Sequence, residues 1–212
     1  MYYILYKDFD ILNIKIYNNI KKWYNIYMKT IKCIKTYEYI INKSRFISIS
    51  YKVENIEEIK QILKEIRSLY PLAKHYTYAY RLINTAKKYD DGEPSGTASN
   101  PIFEQIILND LYNTLIVVIR YFGGILLGAS GLSRAYRSSA SNCLKDNMIE
   151  ITYGFKIVFY SSYSKQSYYD KLLHNYKYNK EYLDNIKYTA YILKEDIDKF
   201  PIITKEEELI EI

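Results

Sequence analysis

Three carboxylates crowd into four positions at Asp90, Asp91 and Glu93, next to Ser95 and Thr97, in the string DDGEPSGTASNP. Such charges repel unless something offsets them, and three arrangements would: solvated acids in an Asx-type turn, a hard-metal site for Mg²⁺, or pairing with Arg120, Arg45 or Arg81. A second string, TLIVVIRYFGGILLGASGLSRAYR, runs an apolar strand into glycines at Gly123, Gly124, Gly128 and Gly131. A helix is expected to open at Ser130 or Gly131, and free N–H groups at a helix start behind a glycine loop favour an anion. Arg134 and Arg137 in the first turns would add positive charge. The alternative is that the glycines serve only tight turning and close helix–sheet packing. The string is neither a Walker loop, since no Gly-Lys-Ser/Thr follows, nor GxGxxG.

Six of the seven glycines fall between Asp90 and Arg137, which marks structured loops and not a linker. The elements that must position them read as follows. Residues 45–53 alternate as a half-buried strand, with Ile47, Ile49, Tyr51 and Val53 on one face. Asn55 caps a helix over 56–69, with Glu58 completing a capping-box-like start, and Pro71 stops it. A strand over 73–82 carries Lys74, His75 and Arg81. A short helix follows over 101–111. The β-branched run 115–119 has the look of a central strand covered on both faces. The next helix, over 131–146, turns Leu132, Ala135, Tyr136, Ser139, Ala140 and Cys143 inward.

A second unit follows from 150: strand 153–160, helix 163–174, strand 178–183, strand 187–193, one helical turn at 196–200 and a closing strand at 208–212. That order is a split βαβ arrangement. Three domain ranges result: an N-terminal extension of unknown order (1–36), a first domain with the glycine loops (37–149) and a shortened second domain (150–212). Met28 followed by Lys29 looks like an alternative start.

The 212 residues are 49% hydrophobic with a formal charge of +6, enough for a soluble chain that can approach phosphate but weak evidence alone. The 27 tyrosines fit an AT-rich coding sequence. Cys33 and Cys143 lack metal-ligand spacing, which implies a reducing cytoplasm. No apolar run approaches about 18 residues, so no membrane partner is expected.

DDGEPSGTA and VVIRYFGGILLGASGLSRAY, preceded by KSRFI from Lys43 and AKHYTYAYR from Ala73, resemble the IMPACT family, and in length its bacterial YigZ type. The resemblance runs from about Met28 to the C-terminus. It implies an α+β protein of two two-layer α/β domains. The first is similar to a small-subunit ribosomal protein domain and the GHMP kinases; the second is a ferredoxin-like split βαβ, similar to a domain of elongation factor G. Eukaryotic members regulate translation under amino-acid stress through an extra N-terminal partner-binding domain, for which residues 1–42 are too short. For bacterial members it implies nucleic-acid or ribosome binding. The chain departs from the family's glycines at Ser99, Ser130 and Arg137; Ser130 is a good N-cap.

Two functional expectations follow. In the first, Lys43, Arg45, Lys74, His75, Arg81, Arg120, Gly123, Gly124, Gly128, Ser130, Gly131 and Arg134 form a phosphate- and RNA-binding surface with no cofactor and no identified protein partner, and Tyr76, Tyr78 and Tyr121 stack on bases or simply pack. In the second, the chain is an enzyme acting on a small phosphorylated ligand. There Asp91 or Glu93 holds Mg²⁺ or serves as base, and His75 as acid.

Overall fold

The computed structural model describes residues 27–212, so the expectations for residues 1–26 lie outside the described residues. Two compact units meet in sequence at Ile149 and Glu150. The first holds strands β1 (Met28–Ile31), β2 (Lys35–Ile41), β3 (Ser44–Lys52), β4 (His75–Arg81), β5 (Ala86–Tyr89) and β6 (Thr114–Tyr121). Its helices are α1 (Ile56–Leu69), α2 (Ser99–Leu108) and α3 (Gly128–Leu144). The extension expected over 1–36 thus contributes, in its described part, β1 and the first residues of β2.

Five strands form one antiparallel sheet in the order β2–β3–β6–β4–β5. The β-branched run of β6 lies at its centre, and Leu115 to Ile119 are fully buried, as a strand apolar on both faces requires. On one face α1 packs Ile59 and Ile66 against Ile47, Ile49, Tyr76 and Val117. On the other, α2 and α3 pack Ile102, Ile106, Leu132 and Tyr136 against Phe46, Ala79, Ile116 and Val118. The first unit therefore has three layers, helix–sheet–helix, where two were expected, and β3 is buried on both sides. Its polar residues explain the difference: Ser48 Oγ donates to the Ser139 carbonyl at 2.8 Å and Ser50 Oγ to that of Cys143 at 3.3 Å. A serine face with its hydroxyls bonded can be buried like an apolar one.

Helix starts follow their donors. Asn55 accepts from the Glu58 amide at 2.8 Å, and the Glu58 carboxylate accepts in turn from the Glu54 amide, capping α1 as expected. α2 begins at Ser99, not Pro101, because a carboxylate from outside the helix caps it, as described below. α3 begins at Gly128, three residues before the expected start, so Ser130 lies in its first turn and caps nothing. Gly128, with φ of +67°, turns the chain into the helix. The inward face over 132–143 is as expected.

The second unit runs β7 (Met148–Ser161), a 3₁₀ turn at Tyr163–Lys165, α4 (Gln166–Leu172), β8 (Lys177–Tyr182), β9 (Ile186–Leu193), a 3₁₀ segment at Lys194–Lys199 and β10 (Ile202–Glu211). Its strands lie in the order β10–β7–β9–β8, and every neighbouring pair is antiparallel. Helix 163–174 is shorter than its pattern implied, and the closing strand is longer, starting at Ile202. Phe159 stacks on Tyr188 at 4.7 Å between ring centroids, with Tyr169 and Phe200 alongside. Tyr169 and Tyr188 are the core tyrosines of this unit, with Tyr176 and Tyr178 packed against them, while Tyr160, Tyr163, Tyr168 and Tyr182 are exposed.

Candidate functional site

Arg120 sits near the end of β6 on the α2/α3 face, in register with Phe46 on one side and His75 on the other. A buried guanidinium needs an anion, and Glu93 supplies it: Arg120 Nη1 donates to Glu93 Oε1 at 2.6 Å, with both side chains over nine-tenths buried. The Tyr136 hydroxyl, from α3, donates to the same oxygen at 2.7 Å. Burial first, and then the Glu93 charge, push the Tyr136 phenol well above its ordinary pKa, so it stays a donor. The Arg120 guanidinium also lies 5.4 Å from the Phe46 ring centre and 5.5 Å from that of Phe122. His75 Nε2 is 3.8 Å from Glu93 Oε1, and its Nδ1 is 2.8 Å from the Asp91 carbonyl oxygen. A carbonyl only accepts, so Nδ1 carries a proton, and in the neutral tautomer that leaves the lone pair on Nε2.

The other two acids of the loop turn elsewhere. Asp90 accepts from the amides of Gly96 (2.9 Å), Ala98 (3.2 Å) and Ser99 (2.8 Å), which makes it the remote cap of α2. Burial raises its pKa, but the Ser99, Gly96 and Ala98 donors outweigh that and leave it below the ordinary value. Asp91 accepts from the Tyr76 amide at 2.7 Å and from Arg67, on α1, at 3.2 Å. Among the described residues no group of three or more His, Cys, Asp or Glu is disposed to hold a metal ion. Of the three arrangements open from sequence, Glu93 takes pairing with Arg120, and Asp90 takes the backbone-bonded turn.

Above this cluster lies a cavity of about 320 Å³. Lys74, His75, Glu93 and Arg120 give it polar groups, Phe122, Leu126 and Leu132 give it apolar walls, and Gly128 and Ala129 bring the start of α3 to its edge. Phe122 and Leu126 stand 43% and 84% exposed at the rim. Among the described residues, no hydrogen bond from outside the helix engages the amides of Gly128 to Gly131. Gly123 fixes the loop: a Cβ there would collide with the Lys43 carbonyl, so only glycine lets the loop lie on the β2–β3 turn.

The structure brings together Lys74, His75, Arg120 and Gly128 with Glu93. It separates the rest. Lys43 is in the β2–β3 turn with φ of +63°, and Arg45 pairs with Glu38 at 2.8 Å. Arg81 points to the opposite end of the sheet, buried on Asp110 and the Tyr112 hydroxyl. Ser130 and Arg134 are exposed on the first turns of α3, with Gly131 between them, and Gly124 is exposed in the loop. Ser95 is exposed, and Thr97 Oγ1 donates to the Pro94 carbonyl at 2.6 Å. Tyr76 is buried, its hydroxyl on the Tyr70 carbonyl, so it is packing and not a stacking platform. Tyr78 packs between Tyr80 and Tyr89. Tyr121 is half-buried, with the Arg45 guanidinium 5.6 Å from its ring centre. Sequence reasoning missed the Tyr136 hydroxyl, although a tyrosine on an inward face needs a partner for its O–H. It also missed Arg67 and the apolar rim.

The family model of the Impact N-terminal domain matches residues 42–144, which contain the whole cavity. The chain belongs to the IMPACT family and is of the bacterial YigZ type. It is 42% identical to the IMPACT family member YvyE of Bacillus subtilis over 118 residues, 54% of each protein. To YigZ of Escherichia coli it is 34% identical over 110 residues, 50% of this chain and 54% of that one. The chain thus matches about half the length of these relatives. A crystal structure described as a hypothetical protein superposes with a TM-score of 0.60 over 88% of this chain and 97% of its own, at 24% identity, a likeness of fold alone. Among the described residues no helix is long and apolar enough to cross a membrane.

Proposed function

We propose that this chain is a cytoplasmic RNA- or ribosome-binding protein linked to regulation of translation, and that it grips phosphate at the mouth of the cavity. The carrying observation is the convergence there of an exposed Lys74 with the unengaged amides of Gly128 and Ala129. Amides at a helix start favour an anion, and a lysine beside them adds a mobile positive charge. Arg134 lies on the exposed side of the second turn and extends the basic strip. Arg120 contributes indirectly, since Glu93 neutralises it and the pair shapes the cavity floor. We read the second unit as the ferredoxin-like split βαβ from its β10–β7–β9–β8 order, and the first as the ribosomal-protein-like domain with α1 as an added layer.

The test is fluorescence anisotropy of a labelled single-stranded RNA against salt concentration. Binding should weaken steeply with salt. Lys74→Ala with Arg134→Ala should lower affinity and flatten the salt slope by about one unit for each phosphate no longer neutralised. Absent binding, or affinity indifferent to salt and to both substitutions, would overturn the reading.

A further inference from the structure

Resting on that reading of the cavity, we propose that it receives one unstacked nucleobase and prefers guanine. Its 320 Å³ is at the low end of the roughly 300–1,000 Å³ of small-molecule sites, a size for one planar ring system and not for a duplex. Phe122, Leu126 and Leu132 offer apolar and aromatic surface of the kind on which an unstacked base packs.

The floor chooses the edge. Glu93 Oε1 is occupied by Arg120 and Tyr136, while Oε2 has no donor among the described residues. His75 lines the cavity and donates its Nδ1–H to the Asp91 carbonyl, which in the neutral tautomer leaves Nε2 as an acceptor. Its 3.8 Å separation from Glu93 Oε1 is too long for a hydrogen bond. Glu93 Oε2 and His75 Nε2 give the floor two acceptors, which call for two donors. Guanine has them, in its ring N1–H and exocyclic amino group. Adenine and cytosine set one donor beside an acceptor, and uracil sets one between two acceptors. A base held this way leaves its phosphate near Lys74 and the Gly128 and Ala129 amides at the mouth.

Calorimetric titration of the full chain with each common ribonucleoside monophosphate, guanosine and ribose 5-phosphate tests this. Guanosine monophosphate should bind about tenfold or more tightly than uridine monophosphate, the discrimination expected of a bidentate pair. Glu93→Gln, which replaces an acceptor by an amide donor, should erase that preference. Should Glu93→Gln fail to fold, Leu126→Ala tests the walls from an exposed position, and severalfold weaker guanosine binding is expected. Equal binding of all nucleotides and of ribose 5-phosphate would overturn the base pocket while leaving the RNA reading standing. RNA binding indifferent to guanine content and to Leu126→Ala would do the same. A guanine preference without RNA binding would support the pocket and sink the RNA reading.

Discussion

Replacing Arg120 by Met removes the cation and leaves Glu93 in place. The Glu93 side chain is 3% exposed, so its carboxylate then keeps only the Tyr136 hydroxyl as a direct donor. Breaking a buried pair from one side costs about 3–5 kcal/mol, because the remaining charge stays desolvated. Glu93→Gln leaves the guanidinium in the same position, with its Nε already unpartnered, and should cost a similar amount. The double variant has no buried charge, and pairs replaced by neutral groups of similar volume are often near neutral. It is therefore expected to be more stable than either single variant, a coupling of at least about 2 kcal/mol. Hydrogen exchange of peptides covering Thr114–Tyr121 reports the opening of the first unit directly. Single costs below about 1 kcal/mol, the range of exposed pairs, or a double cost equal to the sum, would refute the reasoning.

Asp90→Ala removes the remote cap of α2 and should cost about 1–2 kcal/mol at neutral pH in a urea titration. Because the folded carboxyl lies below its ordinary value of 3.8, its contribution is complete above that value and is lost as pH falls through the folded pKa. The gap between variant and wild type should then close in acid, and a gap constant with pH would contradict the capping role. Gly123→Ala drives a methyl into the Lys43–Ser44 backbone and should lower thermal stability by about 3 kcal/mol or more; an unchanged melting temperature would show that the loop does not need that approach. Cys143 is fully buried, and burial pushes its thiol up to about 12, whereas Cys33 is exposed. Alkylation at pH 8 should therefore give one adduct in the native chain, at Cys33, and a second only in denaturant, as read by mass spectrometry.

The parts of the fold that announced themselves were those whose burial matches their own periodicity. The 115–119 run and the inward residues of α3 belong to this group. Ser48 and Ser50 misled, because a hydroxyl facing water and one bonded to a helix carbonyl are spelled alike. β2, with the alternation of KTYEYII and its outer residues exposed at the sheet edge, gave too weak an apolar signal. The start of α3 was misplaced because Ser130 carries a capping signal that Leu127 lacks. At the site, Arg45, Arg81 and Arg120 are alike in sequence. They part company through strand parity and register, which put Arg120 opposite Phe46 and His75 while Arg45 falls on the α1 face. Parity can be read along one strand, but which helix covers each face and which residues stand opposite are set by pairing and packing between elements, and neither is written in a single strand.

The bonds from Ser48 and Ser50 to the carbonyls of Ser139 and Cys143 join two points one helical turn apart to adjacent same-face positions of a single strand. A helix tethered twice along its length can neither roll about its axis nor slip by a residue without severing both tethers. The same helix carries its leading turn to the edge of the cavity. A ligand of the proposed site would then meet, on that side, a wall braced before it arrives.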